Sequence, residues 1–189
     1  MKKLNIITAG ILLGLFANTA VNCYADTPLS GSKKITLLDS NNQALTIGNI
    51  NFSDDNGRVS YKISLDGEVF RDEFLSMRPF QCIRLDEKMI CHLSYPYPKQ
   101  GYIAHDDLID LEYDLLFLHK APGEYGINAW NGLYYDLSIT GNNITGTLNE
   151  VDLNVLAAPP EDGVLRPVTA DMLHEADPER HLFPTLRIQ

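Results

Sequence analysis

Basic side chains are scarce in this sequence: 15 Lys and Arg stand against 25 Asp and Glu, for a formal charge of -10 and a pI near 4.8. A surface of that sign repels phosphate backbones, so the composition argues against a nucleic-acid partner. Long apolar runs are equally scarce. Beyond the first 25 residues none approaches the roughly 20 residues a helix needs to cross a bilayer, so no stable membrane span is expected in the mature chain. Catalytic signatures are missing too. The sequence has no Gly-x-Ser-x-Gly elbow, no phosphate-cradling Gly-rich loop and no dinucleotide fingerprint. Its five His, namely His92, His105, His119, His174 and His181, are not spaced as metal ligands. No catalytic residue, metal site or cofactor is therefore read from the sequence, and a binding protein is the first expectation rather than an enzyme.

What is present begins with an address. Lys2 and Lys3 precede an apolar stretch over residues 6–16, and Cys23-Tyr24-Ala25 places small residues where a signal peptidase cuts. Residues 1–25 read as a secretory signal peptide, the mature chain starting at Asp26 in the periplasm or outside the cell. Lipidation at Cys23 is the weaker alternative, since Asn22 stands where lipoprotein signals place a small residue. Loss of the signal removes two Lys and no acid, which leaves 13 bases against 25 acids, a net of -12. That balance serves solubility and draws basic partners at long range.

Only Cys82 and Cys91 then remain, in an oxidising compartment, and a disulfide is the natural reading. The segment between them is centred on Asp86-Glu87, so a hairpin folded there sets the two Cys opposite each other.

The 189 residues suit one domain. Residues 26–34 read as a flexible lead-in, 35–156 as an antiparallel β domain, and 157–189 as a Pro-rich irregular segment packed on it. Turn chemistry recurs at short intervals: Asn56-Gly57, Asp66-Gly67, Asp86-Glu87 and Gly141-Asn142-Asn143. Val59, Tyr61, Ile63 and Leu65 alternate with polar residues after the first of these. Four hairpin signals predict a mainly β fold, a barrel or sandwich of antiparallel strands with one or two short helices. One of those helices is expected after Thr169, and the apolar end, Leu182 to Ile188, reads as an edge strand.

Residues 106–120 satisfy two templates. Leu108, Leu111, Leu115 and Leu118 make a helical stripe, while Leu111, Tyr113, Leu115 and Phe117 alternate as in a strand. Aromatic residues and β-rich neighbours favour a turn of helix near Asp106 and a strand over 111–119. On a strand Asp110, Glu112 and Asp114 share one face, which reads as a solvated acidic surface able to meet a partner's Lys and Arg. Tyr95, Tyr97 and Trp130 lie in Pro- or Gly-interrupted sequence and are the aromatic residues expected at the surface beside it. The leading expectation is thus an exported, non-catalytic β domain binding a protein partner, an envelope component or an inhibitor's target. A glycan-binding protein or glycan hydrolase using the clustered carboxylates is the alternative.

Overall fold

The computed structural model describes residues 29–189 apart from 57, 87 and 122. The signal-peptide reading of residues 1–25 lies outside the described residues. The fold is mainly β, one antiparallel sheet curled into a half-barrel. Its strands are β1 (Gly31–Leu38), β2 (Ala44–Asp55), β3 (Arg58–Leu65), β4 (Arg71–Phe74), β5 (Pro79–Leu85), β6 (Lys88–His92), β7 (Phe117–Lys120), β8 (Gly132–Thr140), β9 (Asn143–Val151), β10 (His174–Glu175) and β11 (Thr185–Ile188). Among the described residues there is a single short α-helix, α1 (Ile109–Tyr113), which precedes β7.

Three of the four turn signals close hairpins. Asp55 pairs with Arg58, Leu85 with Lys88 and Thr140 with Asn143, and Asn56, Asp86 and Gly141 take the positive φ that such turns require. Asp66-Gly67 does something else. The strand order is β3-β2-β1-β11-β9-β8-β7-β6-β5-β4, so β3 and β4 are consecutive in the chain and lie at opposite ends of the sheet. A flat sheet of that order would hold them ~43 Å apart at about 4.8 Å per strand. The link over residues 66–70 spans at most ~21 Å between strand ends. The sheet must therefore curl until its two edges face each other across a seam. Asp66 starts the crossing by accepting the Glu68 amide on Oδ1 (2.9 Å), and Phe70 anchors it by burying its ring in the core. A bulge at Ile47, where the β1–β2 register slips, aids the curl. Gly48 beside it permits the close approach of β3, since a Cβ there would sit 2.4 Å from the Ser64 carbonyl.

Two readings of the chain ends change. β1 starts at Gly31, inside the stretch expected to be a lead-in, because Gly31–Leu38 pairs along β2 and Ile35 and Leu37 enter the core. The C-terminal strand β11 is interior rather than an edge: it fills the gap between β1 and β9 and buries Leu186 and Ile188 completely. After Thr169 only a 3-10 turn forms, Ala170–Met172.

Inward residues of β1, β2, β8, β9 and β11 make the main core with Leu108, Leu111, Leu115 and Phe117. A second cluster lies on the other side of α1 and holds Tyr95, Tyr113, Leu116, Tyr134 and Leu153. Cys82 and Cys91 are direct cross-strand partners on β5 and β6 and form a disulfide, packed by Met89 and Phe80. No helix among the described residues is long and apolar enough to cross a membrane.

Candidate functional site

The expected acidic strand is a helix. Asp110 and Glu112 belong to α1, and the strand begins only at Phe117. Both carboxylates point inward, with Asp110 1% and Glu112 4% exposed, so they do not form the solvated face expected of them. Burial of a carboxylate is tolerable when each oxygen finds donors, and here each does. Asp110 Oδ2 accepts the Gly101 amide at 2.6 Å, and Oδ1 accepts the Arg166 guanidinium at 3.2 Å; Arg166 also reaches Asp107 at 2.8 Å. Glu112 Oε1 accepts the Leu137 amide on β8 at 2.8 Å, and Oε2 accepts the Tyr134 hydroxyl. Burial pushes the Glu112 carboxyl above its ordinary range, while those two donors pull the other way.

Asp114, just past the helix, faces the seam. Its Oδ2 accepts the Tyr61 hydroxyl of β3 at 2.7 Å and its Oδ1 pairs with Lys99. Its carbonyl accepts the Nε2–H of His92 at 2.9 Å, which fixes that ring's tautomer and orientation. Burial lowers the His92 pKa, so the ring is neutral at pH 7. The three acids thus tie α1 in three directions: to the C-terminal segment, to β8, and across the seam to β3.

The aromatic residues divide. Tyr95 is buried against Tyr113, ring centres 4.6 Å apart, and its hydroxyl donates to the Leu165 carbonyl. Tyr97 packs edge-on against Tyr95 and donates to the Leu156 carbonyl. Tyr95 thus holds the C-terminal segment in place, and Tyr97 holds the 3-10 turn Leu153–Leu156 that leads into it. Trp130 alone of the three is open, at 69% exposure, in a 3-10 turn capped by Asn128. It borders a groove of about 410 Å³ with Glu150, Asp152, Val155, Met172 and His174.

A larger cleft, about 500 Å³, lies in the seam. Tyr61, Ile63 and Leu65 of β3 line one wall; Gln81, His92 and Ser94 line the other, with Phe70 and Asp114 between. It runs on into a recess of about 260 Å³ that shares Gln81, His92 and Ser94 and ends at Arg78 and Pro79. A neutral imidazole, an amide, two hydroxyls and the carboxylates of Asp66 and Asp114 stand there beside Ile63, Leu65 and Phe70, a mixed lining that suits hydrogen bonding at some positions and apolar contact at others. Sequence reasoning missed this cleft, because its two walls meet only through the strand order. No group of three or more His, Cys, Asp or Glu among the described residues is placed to hold a metal ion.

Large apolar side chains are exposed elsewhere. Phe74 and Met77 stand out at the β4–β5 turn, and Tyr125 stands out between Gly123 and Gly126. A Cβ at Gly126 would lie 3.6 Å from the Leu75 carbonyl, so the Tyr125 loop and the β4–β5 turn are neighbours. Comparison with family models, with curated proteins and with solved structures finds no match. The class rests on the structure alone: a disulfide-bearing antiparallel β half-barrel with an open seam.

Proposed function

We propose that this chain is an exported, non-catalytic β domain that binds a protein partner. Export draws support from the basic, apolar and small-residue order of the first 25 residues and from the Cys82–Cys91 disulfide. Partner binding is carried by one observation: Phe74, Met77 and Tyr125 are held in water on adjoining turns, where no core requires them. Clustered exposed aromatic and Met side chains offer a contact area that solubility alone does not explain. The net negative charge of the whole chain speeds the approach of a basic partner. The test is capture from an envelope extract by the mature domain and by a variant with Phe74→Ser, Met77→Ser and Tyr125→Ser. Specific capture by the first and its loss in the folded variant is the expected result. Equal capture by both removes this reading.

A second reading, glycan binding, rests on Trp130. Its open ring beside Glu150 and Asp152 has the makings of a sugar platform with polar flanks. Trp130 is the single Trp of the chain, so its fluorescence reports directly on that groove. A saturable change on adding peptidoglycan fragments supports the glycan reading; an unchanged spectrum at millimolar fragment excludes it for those glycans.

A further inference from the structure

β3 is the end strand of the sheet, and its ladder with β2 assigns a direction to every main-chain group. In an antiparallel pair, alternate residues direct both N–H and C=O to the partner strand, and the others direct them away. Val59 fixes the phase, because its N–H and C=O bond outward to Ile103, both at 2.9 Å. The Asp66 amide fixes it again at the far end by bonding inward to the Ile47 carbonyl of β2 at 2.9 Å. Ser60, Lys62 and Ser64 therefore face β2, while Tyr61, Ile63 and Leu65 aim their N–H and C=O into the seam. Ile103 satisfies the first outward position. No main-chain hydrogen bond to another described residue continues the pairing at Tyr61, Ile63 and Leu65.

The side chains of those three residues line the 500 Å³ cleft and are only half-buried, although they pack on the main core. The seam thus offers an extended ligand two things at once: a row of main-chain groups without a main-chain partner among the described residues, and apolar contacts at Ile63, Leu65 and Phe70 set among the polar side chains of Asp66, Gln81, His92, Ser94 and Asp114. Strand addition to a sheet edge uses both, the first for affinity and the second for side-chain selection. Ile103 shows that this edge accepts an antiparallel segment, and the cleft continues from there toward Phe70 and Arg78 as an elongated groove.

We propose that the seam is a strand-acceptor site, in which an extended segment of a partner protein pairs antiparallel with β3 at Tyr61, Ile63 and Leu65. The segment's inward positions are apolar and β-branched, to meet Ile63, Leu65 and Phe70. Its outward positions are polar, with an acid favoured beside exposed Lys62, the only charge on that stretch of the outer face of β3. This goes beyond the apolar surface at Phe74, Met77 and Tyr125, which the seam does not need.

The experiment is selection of random capped peptides on the folded mature domain, followed by amide exchange and affinity measurement on the peptides recovered. Ligands with apolar residues at alternate positions, which protect the amides of Tyr61, Ile63 and Leu65, are expected. Ile63→Pro removes one outward N–H without touching the β2 ladder and should weaken such peptides at least tenfold, by roughly 1.4 kcal/mol or more. Should Ile63→Pro disturb the fold, Ile63→Lys places a charge on the cleft floor and should give the same loss. N-methylation of the peptide at alternate amides should abolish binding. The proposal is overturned if selection yields no ligand, if the ligands leave those three amides unprotected, or if both folded variants bind as the parent does. Serine at Phe74, Met77 and Tyr125 should leave peptide affinity unchanged, which separates this site from the surface proposed above.

Discussion

Two regions of the half-barrel are built from the same kinds of residue and end up in different states. In the wall formed by β1, β11, β9 and β8 every strand has a neighbour on both sides, and Ile35, Leu37, Ile144, Leu186 and Ile188 are fully buried. At the seam Tyr61, Ile63 and Leu65 alternate just as regularly, yet remain half-buried because, among the described residues, β3 has a strand on one side only and a single bridge, Val59 to Ile103, on the other. Burial here follows pairing more than hydropathy. What the wall spends on stability, the seam keeps available for a ligand. Helix α1 and the residue that follows it touch both regions, Glu112 reaching into the wall at Leu137 and Asp114 reaching across to Tyr61, so substitutions at these contacts can compare them.

The largest effect belongs to the wall. Glu112→Ala leaves the Leu137 amide and the Tyr134 hydroxyl without their acceptor, and unpaired buried donors cost about 1 to 3 kcal/mol each. Urea unfolding should show a loss of roughly 3 kcal/mol or more on that basis. Glu112→Gln sharpens the point through pH. The folded carboxyl holds its proton more tightly than the unfolded one, so its contribution to stability is full below the ordinary carboxylate pKa and is lost as pH rises through the raised value. The Gln variant should lack that dependence; an identical pH profile would mean that Glu112 is not held in the buried state described.

The disulfide comes next, on the strands that flank the seam. Reducing it, or replacing Cys82 and Cys91 by Ala, releases a short hairpin loop and should lower stability by about 2 to 3 kcal/mol. An unchanged unfolding midpoint would show that the β5–β6 hairpin needs no cross-link. Smallest is the seam's own tie. Tyr61→Phe removes the hydroxyl bonded to Asp114, which keeps Lys99 as partner, and a partly exposed hydrogen bond of this kind is worth about 1 kcal/mol. A loss comparable to that of Glu112→Ala would break the contrast between a sealed wall and an open seam.

How much of this was legible beforehand depended on distance along the chain. Asn56, Asp86 and Gly141 mark their hairpins through local φ preferences, and Cys82–Cys91 follows from symmetry about one turn. The mainly β class followed from these local signals. Residues 106–120 fit helix and strand equally well, and the choice was made by remote partners: Asp110 by Gly101 and Arg166, Glu112 by Tyr134 and Leu137. No periodicity within the segment carries that information. The Pro-broken sequence around Tyr95 and Tyr97 points to surface residues, and the structure uses that stretch to pin Leu165 of the C-terminal segment and Leu156 just before it. Asp66-Gly67 resembled the other turns, and only the strand order makes it the bridge across the seam. Trp130 is exposed as its loop setting suggested.

Amide hydrogen exchange along β3 tests the open seam most directly. Ser60, Lys62 and Ser64 should exchange slowly, on the scale of global unfolding, while Tyr61, Ile63 and Leu65 should exchange on the order of a hundredfold faster or more, as amides without a main-chain acceptor do. Val59, bonded to Ile103, should fall with the slow group. Uniform slow exchange from Val59 to Leu65 would mean that the edge is already paired, and the seam would then be no acceptor for a further strand.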